Sequence, residues 1–464
     1  MEKGQIKKIL IANRGEIAVR IIRAARDLGI ATVQAHSDAD VDSRAAQMAD
    51  EVVRIGPPQA AKSYLDTAAI LKAAKESGAD AIHPGYGFLS ENAAFADAVA
   101  DAGLIFIGPS GDTIRLMGNK AAARESAEKA GVPTVPGSAG VITDMKDAAR
   151  LAAEIGFPVM IKASAGGGGR GIRIADNAEE FAALAPQASS EAKAAFGDGG
   201  IYIEKVIERA RHIEVQVLGD GENVLHFFER ECSLQRRRQK VWEEAPSTAL
   251  DADLRGRLCA CAVALARAVN YKGAGTIEFL YDDATGAFYF IEMNTRIQVE
   301  HPVTEMICGV DLVAGMIAIA GGAKLHLSQE EVAPRGHAIE VRLNAEDPAN
   351  GFMPFPGTIG HLMTPDGPGI RFDHMLYPGY AVPPFYDSLL GKLIVWAEDR
   401  DGALMRLKRA LGELQITGLP TTAPLFQALL ESDAVRDNAV HTRWLEPWIE
   451  DNLALIKQKG GSDT

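Results

Sequence analysis

The chain has 464 residues, of which 24% are charged and 47% apolar, and its formal net charge is −14. This length and balance predict a folded protein of several domains, each with a sizeable core. The acidic net charge argues against nucleic acid or an anionic membrane surface as the main partner, so neither is expected.

The amino-terminal residues lead directly into an apolar run, Ile6–Ala12, with no apolar signal segment before it. No stretch of the chain is long and apolar enough to span a bilayer. Four scattered cysteines, none in a Cys-x-x-Cys pair, are interpreted as reduced thiols and not as a zinc site or disulfide frame. These features predict a cytoplasmic protein.

Strands and helices alternate through the first part of the chain. The run Ile6–Ala12 reads as a strand, a helical pattern follows between Ile17 and Leu28, and Ala31–Ala35 is a second strand. The alternation predicts a doubly wound α/β domain over residues 1–115. Because the first strand is not followed by Gly-x-Gly-x-x-Gly, no NAD site is expected. The glycine-rich turn His83–Asn92 is equally compatible with a ligand loop and with a structural turn around a core histidine.

A linker helix is predicted over residues 116–134, and the breaker-rich stretch Gly131–Gly137 ends it. A smaller unit over residues 135–205 contains the run Ala165–Gly171, which lies between two predicted strands. Glycines in such a loop let backbone N–H groups surround phosphate oxygens, and Lys162 just before them adds a positive charge. We favour a nucleotide-phosphate loop over a plain hairpin. It is not a Walker A loop, because Gly-Lys-[Ser/Thr] is absent.

The third part, residues 206–450, contains the most informative stretch, 291–301. In an extended strand alternate side chains share a face. One face then carries Glu292, Asn294, Arg296, Gln298 and Glu300. Acids hold hard cations, a guanidinium holds a small oxyanion, and a further acid can act as a base. This pattern predicts a metal–nucleotide complex that acts on a small anion.

Two neighbouring segments extend this site. Glu278 lies in the predicted strand Thr276–Tyr281, and with Glu292 and Asn294 it offers oxygen ligands suited to magnesium on ATP phosphates. The basic run Cys232–Lys240 is read as part of an anion or nucleotide pocket in preference to a solvated basic face.

Taken together, these motifs resemble the biotin carboxylase family of the ATP-grasp superfamily. The resemblance covers effectively the whole chain, including His83–Asn92, Lys162–Gly171, Glu292–Thr304, Gly336–Asp347 and Pro383–Lys392. It implies an α/β fold (α+β overall), namely an ATP-grasp fold with an N-terminal doubly wound biotin carboxylase domain (1–115), a linker helix (116–134), a lid (135–205), a C-terminal domain (206–450) and a tail (451–464).

The resemblance also implies a role for each matching residue. ATP would contact Lys120, Lys162, Gly168, Gly169, Glu204, Lys205, Val206, Ile207, His212, Gln235, Arg238, Glu278 and Glu292. Two Mg²⁺ (or Mn²⁺) ions would be held by Glu278, Glu292 and Asn294. Bicarbonate would be held by Lys240, Arg296, Gln298 and the backbone of Val299. Glu300 would be the base, and Arg342 would bind biotin and stabilise its enolate-like oxyanion; Lys240 and Arg296 complete the catalytic set.

The implied reaction is ATP-dependent carboxylation of biotin through carboxyphosphate, as the first half-reaction of an acetyl-CoA carboxylase in fatty acid biosynthesis. The alternative is the equivalent component of another acyl-CoA or related biotin-dependent carboxylase. Other ATP-grasp ligases and a non-catalytic nucleotide sensor are competing classes. The intact set Lys162, Glu292, Arg296, Glu300 and Arg342 favours an active enzyme, and Lys240 beside Arg296–Glu300 favours bicarbonate as its substrate.

Two features set this chain apart. The family's Gln-Arg-Arg-His-Gln-Lys has arginine, Arg238, in place of histidine, which changes the charge and removes an acceptor. The biotin attachment motif Ala-Met-Lys-Met does not occur, since the only Met-Lys pair is Met145-Lys146. The biotin carboxyl carrier protein and the carboxyltransferase subunits are therefore expected to be separate polypeptides, and the family implies a homodimer.

Overall fold

The computed structural model describes residues 6–138, 140–163, 172–196 and 199–461. Its strands are β1 (Lys8–Ile11), β2 (Ala31–Ser37), β3 (Glu51–Gly56), β4 (Ala81–His83), β5 (Ile105–Phe106), β6 (Val159–Ala163), β7 (Ile172–Ala175), β8 (Ile201–Lys205), β9 (Ala210–Asp220), β10 (Val224–Arg236), β11 (Gln239–Ala245), β12 (Lys272–Asp282), β13 (Phe288–Asn294), β14 (His337–Asn344), β15 (Glu346–Asp347), β16 (Met353–Pro354), β17 (Leu362–Met363), β18 (Ile370–His374), β19 (Leu389–Ala397) and β20 (Gln415–Ile416).

Helices alternate regularly with parallel strands only in the first part of the chain. They are α1 (Gly15–Asp27), α2 (Arg44–Met48), α3 (Thr67–Ser77), α4 (Ala93–Asp101), α5 (Gly111–Gly118), α6 (Lys120–Lys129), α7 (Met145–Ile155), α8 (Ala178–Phe196), α9 (Ala252–Ala268), α10 (His301–Cys308), α11 (Leu312–Ala320), α12 (Arg400–Glu413), α13 (Ala423–Leu429), α14 (Asp433–Arg436), α15 (Leu445–Asp451) and α16 (Leu453–Gly460).

The N-terminal sheet is parallel, with strand order β3-β2-β1-β4-β5. Helix α1 packs on it because Ile17, Ile21 and Ala25, spaced four residues apart, share one helix face and are fully buried. The doubly wound prediction is confirmed. Strand β3 had no counterpart in the sequence prediction, since half of its residues are exposed and the apolar run is short.

The remaining large sheet is antiparallel, with strand order β13-β12-β9-β10-β11-β14-β19-β18. A separate antiparallel sheet, β7-β6-β8, has its own core, which includes Val159, Ile161 and Phe181. The predicted mixed α/β architecture is therefore confirmed, while the exact domain bounds stay a prediction.

Two predicted elements were wrong in extent. The linker helix is two helices, because Asn119 ends α5 and its Oδ1 accepts from the backbone N–H groups of Ala121 and Ala122, both at 3.1 Å, to cap α6. The stretch 291–301, treated above as extended, is a strand only as far as Asn294, and the chain turns before α10 begins at His301.

Among the described residues, no single helix is long and apolar enough to cross a membrane; α10 and α11 reach that length only as a pair, across a bend of 97°.

Candidate active site

A cleft of about 880 Å³ lies between the parallel sheet and the large antiparallel sheet. One wall comes from the loops that follow β1 and β4, which are neighbours in the parallel sheet. From β1 the sheet continues through β2 and β3 on one side and through β4 and β5 on the other, so the strand order reverses between β1 and β4. Ligands commonly bind at such a switch point, at the carboxyl ends of parallel strands. The opposite wall comes from strands β9 to β14, the segment before α10 and the loop 385–387 before β19.

The turn His83–Asn92 forms part of this wall. The Asn13 Nδ2 donates to the carbonyl oxygens of Pro84 and Tyr86, at 2.6 and 2.7 Å. Gly85 has φ +62°, and a Cβ there would lie 2.9 Å from Asn13 Nδ2, so glycine is required. Tyr86 lines the cleft. His83 itself is structural: it is fully buried, and burial lowers its pKa to about 3. The structure supports the core-histidine interpretation for His83, and a ligand role for the rest of the turn stays a prediction.

The predicted nucleotide residues of the small sheet lie on β6 and β8. Lys162 forms an ion pair with Glu204 across these paired strands. The Lys205 Nζ instead donates to the backbone oxygens of Gly156 and Phe157, at 2.9 and 2.8 Å. The side chains of Val206 and Ile207 are buried, and neither lines the cleft described above. Gly168 and Gly169, with the rest of the predicted phosphate loop, lie outside the described residues.

His212, Gln235 and Arg238 line the cleft from β9 and from the β10–β11 hairpin. Arg237 and Arg238 form the two-residue turn of this hairpin, with φ of +49° and +66°, the backbone of a type I′ turn. Across the part of the chain that the structure describes, Arg238 has no hydrogen bond or ion pair. Lys120 begins α6, and its charge acts on the Glu292 carboxylate.

The predicted metal ligands lie on two paired strands. Glu278 and Glu292 are register partners of β12 and β13, and Asn294 lies opposite Thr276 two positions away. Burial raises the pKa of Glu292, and the neighbouring Glu278 carboxylate raises it further. Burial opposes ionisation of Glu278 too, but Lys240 and His212 hold its pKa well below its usual value. The pair fits a divalent cation, whose charge would favour both carboxylates.

Asn294 and Glu278 already have protein partners at this site. The Asn294 Oδ1 accepts from Arg296 Nη2 at 3.0 Å, and Glu278 Oε1 accepts from Lys240 and from Gln298. A cation on these oxygens would replace some of those donors. Glu292 has no hydrogen bond or ion pair in the described chain and is the most available ligand.

Lys240 lies at the centre of the anion pocket. Its Nζ contacts Glu214 Oε2 at 2.5 Å, Glu300 Oε1 at 2.7 Å and Glu278 Oε1 at 2.9 Å. Burial disfavours the charged form of Lys240, but the three carboxylates raise its pKa well above its usual value. Lys240 is therefore a permanent cation that can hold an anion, and it cannot serve as a base at neutral pH.

The other predicted bicarbonate residues converge on the same place. The Gln298 Nε2 donates to Glu278 Oε1 at 2.9 Å. The Arg296 Nε donates to Glu91 Oε2 at 2.9 Å, which orients the guanidinium at the cleft wall. The Val299 carbonyl accepts from Lys392 Nζ at 2.7 Å, which holds the turn before α10 in place. The turn, and not a continuous strand, brings these side chains together.

Glu300 is buried between two cations. Its Oε1 accepts from Lys240, and its Oε2 accepts from Arg342 Nη2 at 3.0 Å. Burial by itself would raise the pKa of Glu300, but Lys240 and Arg342 hold it below its ordinary value. Glu300 is thus an anion at neutral pH, as a base must be.

Several residues of the site were missed by the sequence reasoning. Glu214 contacts Lys240, and the fully buried Arg230 donates from Nε to Glu214 Oε1 at 2.7 Å. His212, Glu214 and Gln216 alternate with apolar residues along β9, and this polar row of period two was the available signal. Glu91 and Lys392 lie in two of the matching motifs but were given no role, and Glu243 was not singled out, because each meets its partner in the site through a distant part of the chain.

Three family signatures match the chain. They are "Biotin carboxylase, N-terminal domain" over residues 5–114, "Carbamoyl-phosphate synthase L chain, ATP binding domain" over 119–328, and "Biotin carboxylase C-terminal domain" over 340–447.

Individual relatives match this chain over nearly its whole length. A biotin carboxylase of Nostoc sp. is 56% identical over 95% of this chain and 98% of its own length. A pyruvate carboxylase subunit of Methanothermobacter thermautotrophicus is 48% identical over 95% of this chain and 90% of its own. A solved dimer of the biotin carboxylase domain of Hydrogenobacter thermophilus 2-oxoglutarate carboxylase, in complex with MgADP, ADP and bicarbonate, is 49% identical, with a TM-score of 0.85 over 97% of this chain and 98% of that one.

Proposed function

This chain belongs to the biotin carboxylase family and is a ligase of ATP-grasp type, and we propose that it carboxylates biotin on a separate carrier protein as the first half-reaction of an acetyl-CoA carboxylase. ATP and bicarbonate are the co-substrates. One observation supports this proposal above others: Glu300, an anion in the cleft, lies between the cations Lys240 and Arg342. A base between two anion-binding cations matches a reaction that deprotonates a small anion beside a nucleotide.

The first chemical step forms carboxyphosphate. Bicarbonate binds to Lys240, Arg296 and Gln298, with the Val299 backbone beside it. Glu300 accepts the bicarbonate proton, and the bicarbonate oxygen attacks the γ-phosphorus of ATP, so that ADP leaves. Lys240 must then shift its contact from Glu300 towards the incoming anion. Because Glu214 and Glu278 also contact Lys240, it stays in place during that exchange.

The second step transfers the carboxyl group. Carboxyphosphate breaks into CO₂ and phosphate, and the phosphate accepts the proton of the biotin ureido nitrogen. That nitrogen attacks the CO₂ carbon to give carboxybiotin. Arg342 stabilises the oxyanion that develops on the ureido oxygen, because a fixed guanidinium needs no reorganisation when the charge appears.

The match to an ATP binding domain supports the nucleotide roles, and the pairing of Glu278 with Glu292 supports the metal roles. Lys162 and Lys120 supply charge for the phosphates, Val206 and Ile207 an apolar contact for the base. Glu278, Glu292 and Asn294 would hold Mg²⁺, which neutralises phosphate charge when bound. The proposal includes two metal ions, which are either Mg²⁺ or Mn²⁺.

The test is an assay with free biotin. Purified protein should hydrolyse ATP only with Mg²⁺ and bicarbonate present, and free biotin should become carboxylated. ATP hydrolysis at full rate without bicarbonate would contradict the assignment of Lys240, Arg296 and Gln298. A protein that hydrolyses ATP with bicarbonate but never forms carboxybiotin would contradict the role of Arg342.

The partners and final acceptor need a separate test. We propose a homodimer that works with a biotin carboxyl carrier protein and carboxyltransferase subunits. Reconstitution with these proteins should carboxylate acetyl-CoA. If pyruvate, 2-oxoglutarate or another acyl-CoA is carboxylated in its place, the acetyl-CoA assignment is wrong while the biotin chemistry stands.

A further inference from the structure

Two glutamates lie opposite each other just behind the cleft. Glu243 on β11 and Glu340 on β14 are register partners, and both side chains are fully buried. Neither lines the cleft. Directly opposed like charges destabilise a sheet, and burial strongly disfavours a charge that has no partner. The two carboxyl groups therefore cannot both be ionised, and one of them keeps a proton.

Their contacts show which one is ionised. Arg342 contacts Glu243 Oε1 twice, from Nε at 2.7 Å and from Nη2 at 2.6 Å. Within the described part of the chain, neither carboxyl oxygen of Glu340 has a hydrogen-bond partner. Burial raises the pKa of Glu340 well above its usual value, against the opposing charge of Lys392. Burial also raises the pKa of Glu243, to about 7, against the charge of Arg342. The two contacts from Arg342 place the negative charge of the pair on Glu243, and Glu340, which has no donor beside it, keeps the proton.

We infer that Glu243 is a positioning residue, which holds the Arg342 guanidinium in place while Glu300 changes charge, and that Glu340 remains neutral so that Glu243 can do so. The Arg342 guanidinium donates to Glu243 and also to Glu300. When Glu300 accepts a proton it becomes a weaker partner for Arg342. The contact to Glu243 persists, so the guanidinium stays where the biotin oxyanion forms. This inference rests on the proposed function.

The test separates ATP cleavage from carboxyl transfer. Glu243→Gln keeps the shape of the side chain and removes its charge. We expect carboxybiotin formed per ADP to fall by at least about tenfold, the order found when a supporting partner of a functional group is removed. The Michaelis constants for ATP and bicarbonate should change little, because Lys240 and Arg296 keep their own contacts. Glu243→Asp should restore part of the yield.

Glu229→Gln is the matched control. Glu229 is also fully buried in the large sheet and also pairs with an arginine, Arg255, at 2.8 Å, but it lies outside the cleft. It should lower thermal stability without changing the yield of carboxybiotin per ADP. If Glu243→Gln and Glu229→Gln behave alike, Glu243 is only structural and the inference is wrong.

Glu340→Gln tests the second half of the inference. A neutral amide resembles the neutral acid, so the yield of carboxybiotin per ADP should stay within about twofold of wild type. A twofold change corresponds to a free-energy difference of about a few tenths of a kcal/mol. A yield as low as that of Glu243→Gln would show that Glu340 must be charged and would overturn the assignment. Wild type that forms no carboxybiotin at all would count against the proposed function instead.

Discussion

Glu300 has both carboxylate oxygens occupied, one by Lys240 and the other by Arg342. We predict that Glu300→Gln lowers turnover by roughly 10²–10⁴-fold, the range for loss of a general base. ATP affinity should change little, since Glu278 and Glu292 remain and Lys240 keeps two carboxylate partners. Steady-state kinetics and nucleotide titration check both quantities. Near-normal turnover with comparable ATP binding would show that Glu300 is not the base.

Arg238 faces the cleft from a turn whose backbone suits histidine better than arginine, because histidine is enriched at positive φ. No acid pairs with it among the residues the structure describes, so an ion-pair role has no support. We therefore predict that Arg238→His keeps activity and leaves ATP affinity equal or improved. Arg237→His is the control, since Arg237 has the same backbone but does not line the cleft. Weaker bicarbonate binding with unchanged ATP affinity would place Arg238 in the anion pocket.

We predict that the charge on His212 makes the stability of the protein depend on pH. Burial lowers the pKa of His212, but the carboxylates of Glu278 at 3.2 Å and Glu214 at 3.4 Å together outweigh burial and the nearby Lys240 and raise the pKa to about 9. The charged form therefore stabilises the fold below about pH 6.5, and this contribution is lost as pH rises through about 9. The melting temperature of wild type should exceed that of His212→Gln most at pH 6 and least at pH 9.5. A difference that is independent of pH would contradict the ion pair.

At the scale of elements, the small sheet β7-β6-β8 with α7 and α8 has its own buried core. Its breaker-rich boundary at Gly131–Gly137 offers positions where a hinge can absorb dihedral change. We predict that this unit is a lid that closes on ATP. Amide hydrogen exchange over residues 160–175 should slow when MgATP is added, while β14 serves as an internal control. Identical exchange with and without nucleotide would count against closure.

At the scale of the whole molecule, Glu305 joins three distant segments. On α10 it contacts Arg20 of α1 at 2.9 Å and Arg371 of β18 at 2.7 Å, and all three belong to one buried network. We predict that Glu305→Gln destabilises the protein by about 1.5–3 kcal/mol, since Arg20 and Arg371 each lose a charged hydrogen bond. The loss is no larger because Arg20 keeps Asp311 and Arg371 keeps Asp373 as partners. Thermal denaturation measures this loss.

The control for that prediction is Glu413→Gln. Glu413 pairs with Arg409 on the surface of α12, with both side chains more than 40% exposed. An exposed pair contributes about 0–1 kcal/mol, so the melting temperature should hardly change. If both variants shift the melting temperature equally, the Glu305 network does not hold the segments together.

The fold class, the family and the polar row Glu292–Glu300 could be predicted from the sequence, whereas polar partners such as Glu214 and Arg230 could not. Strand and helix periodicity is a local property, so β1, α1 and β2 could be predicted from a few residues each. The row of polar residues from Glu292 to Glu300 was also visible locally. Its assumed geometry was wrong, because the strand ends at Asn294 and a turn completes the site.

Which charged side chains come into contact depends on the tertiary structure and could not be predicted from the sequence. Lys240 contacts Glu214, Glu278 and Glu300, which are 26, 38 and 60 residues away along the chain. Glu243 faces Glu340 through the register of β11 with β14, and Arg342 joins this pair to Glu300. Strand order and register depend on contacts between distant segments, and no local pattern encodes them. The ionisation of each buried carboxyl follows from those contacts, which is why the structure was needed to separate the anion Glu243 from the neutral Glu340.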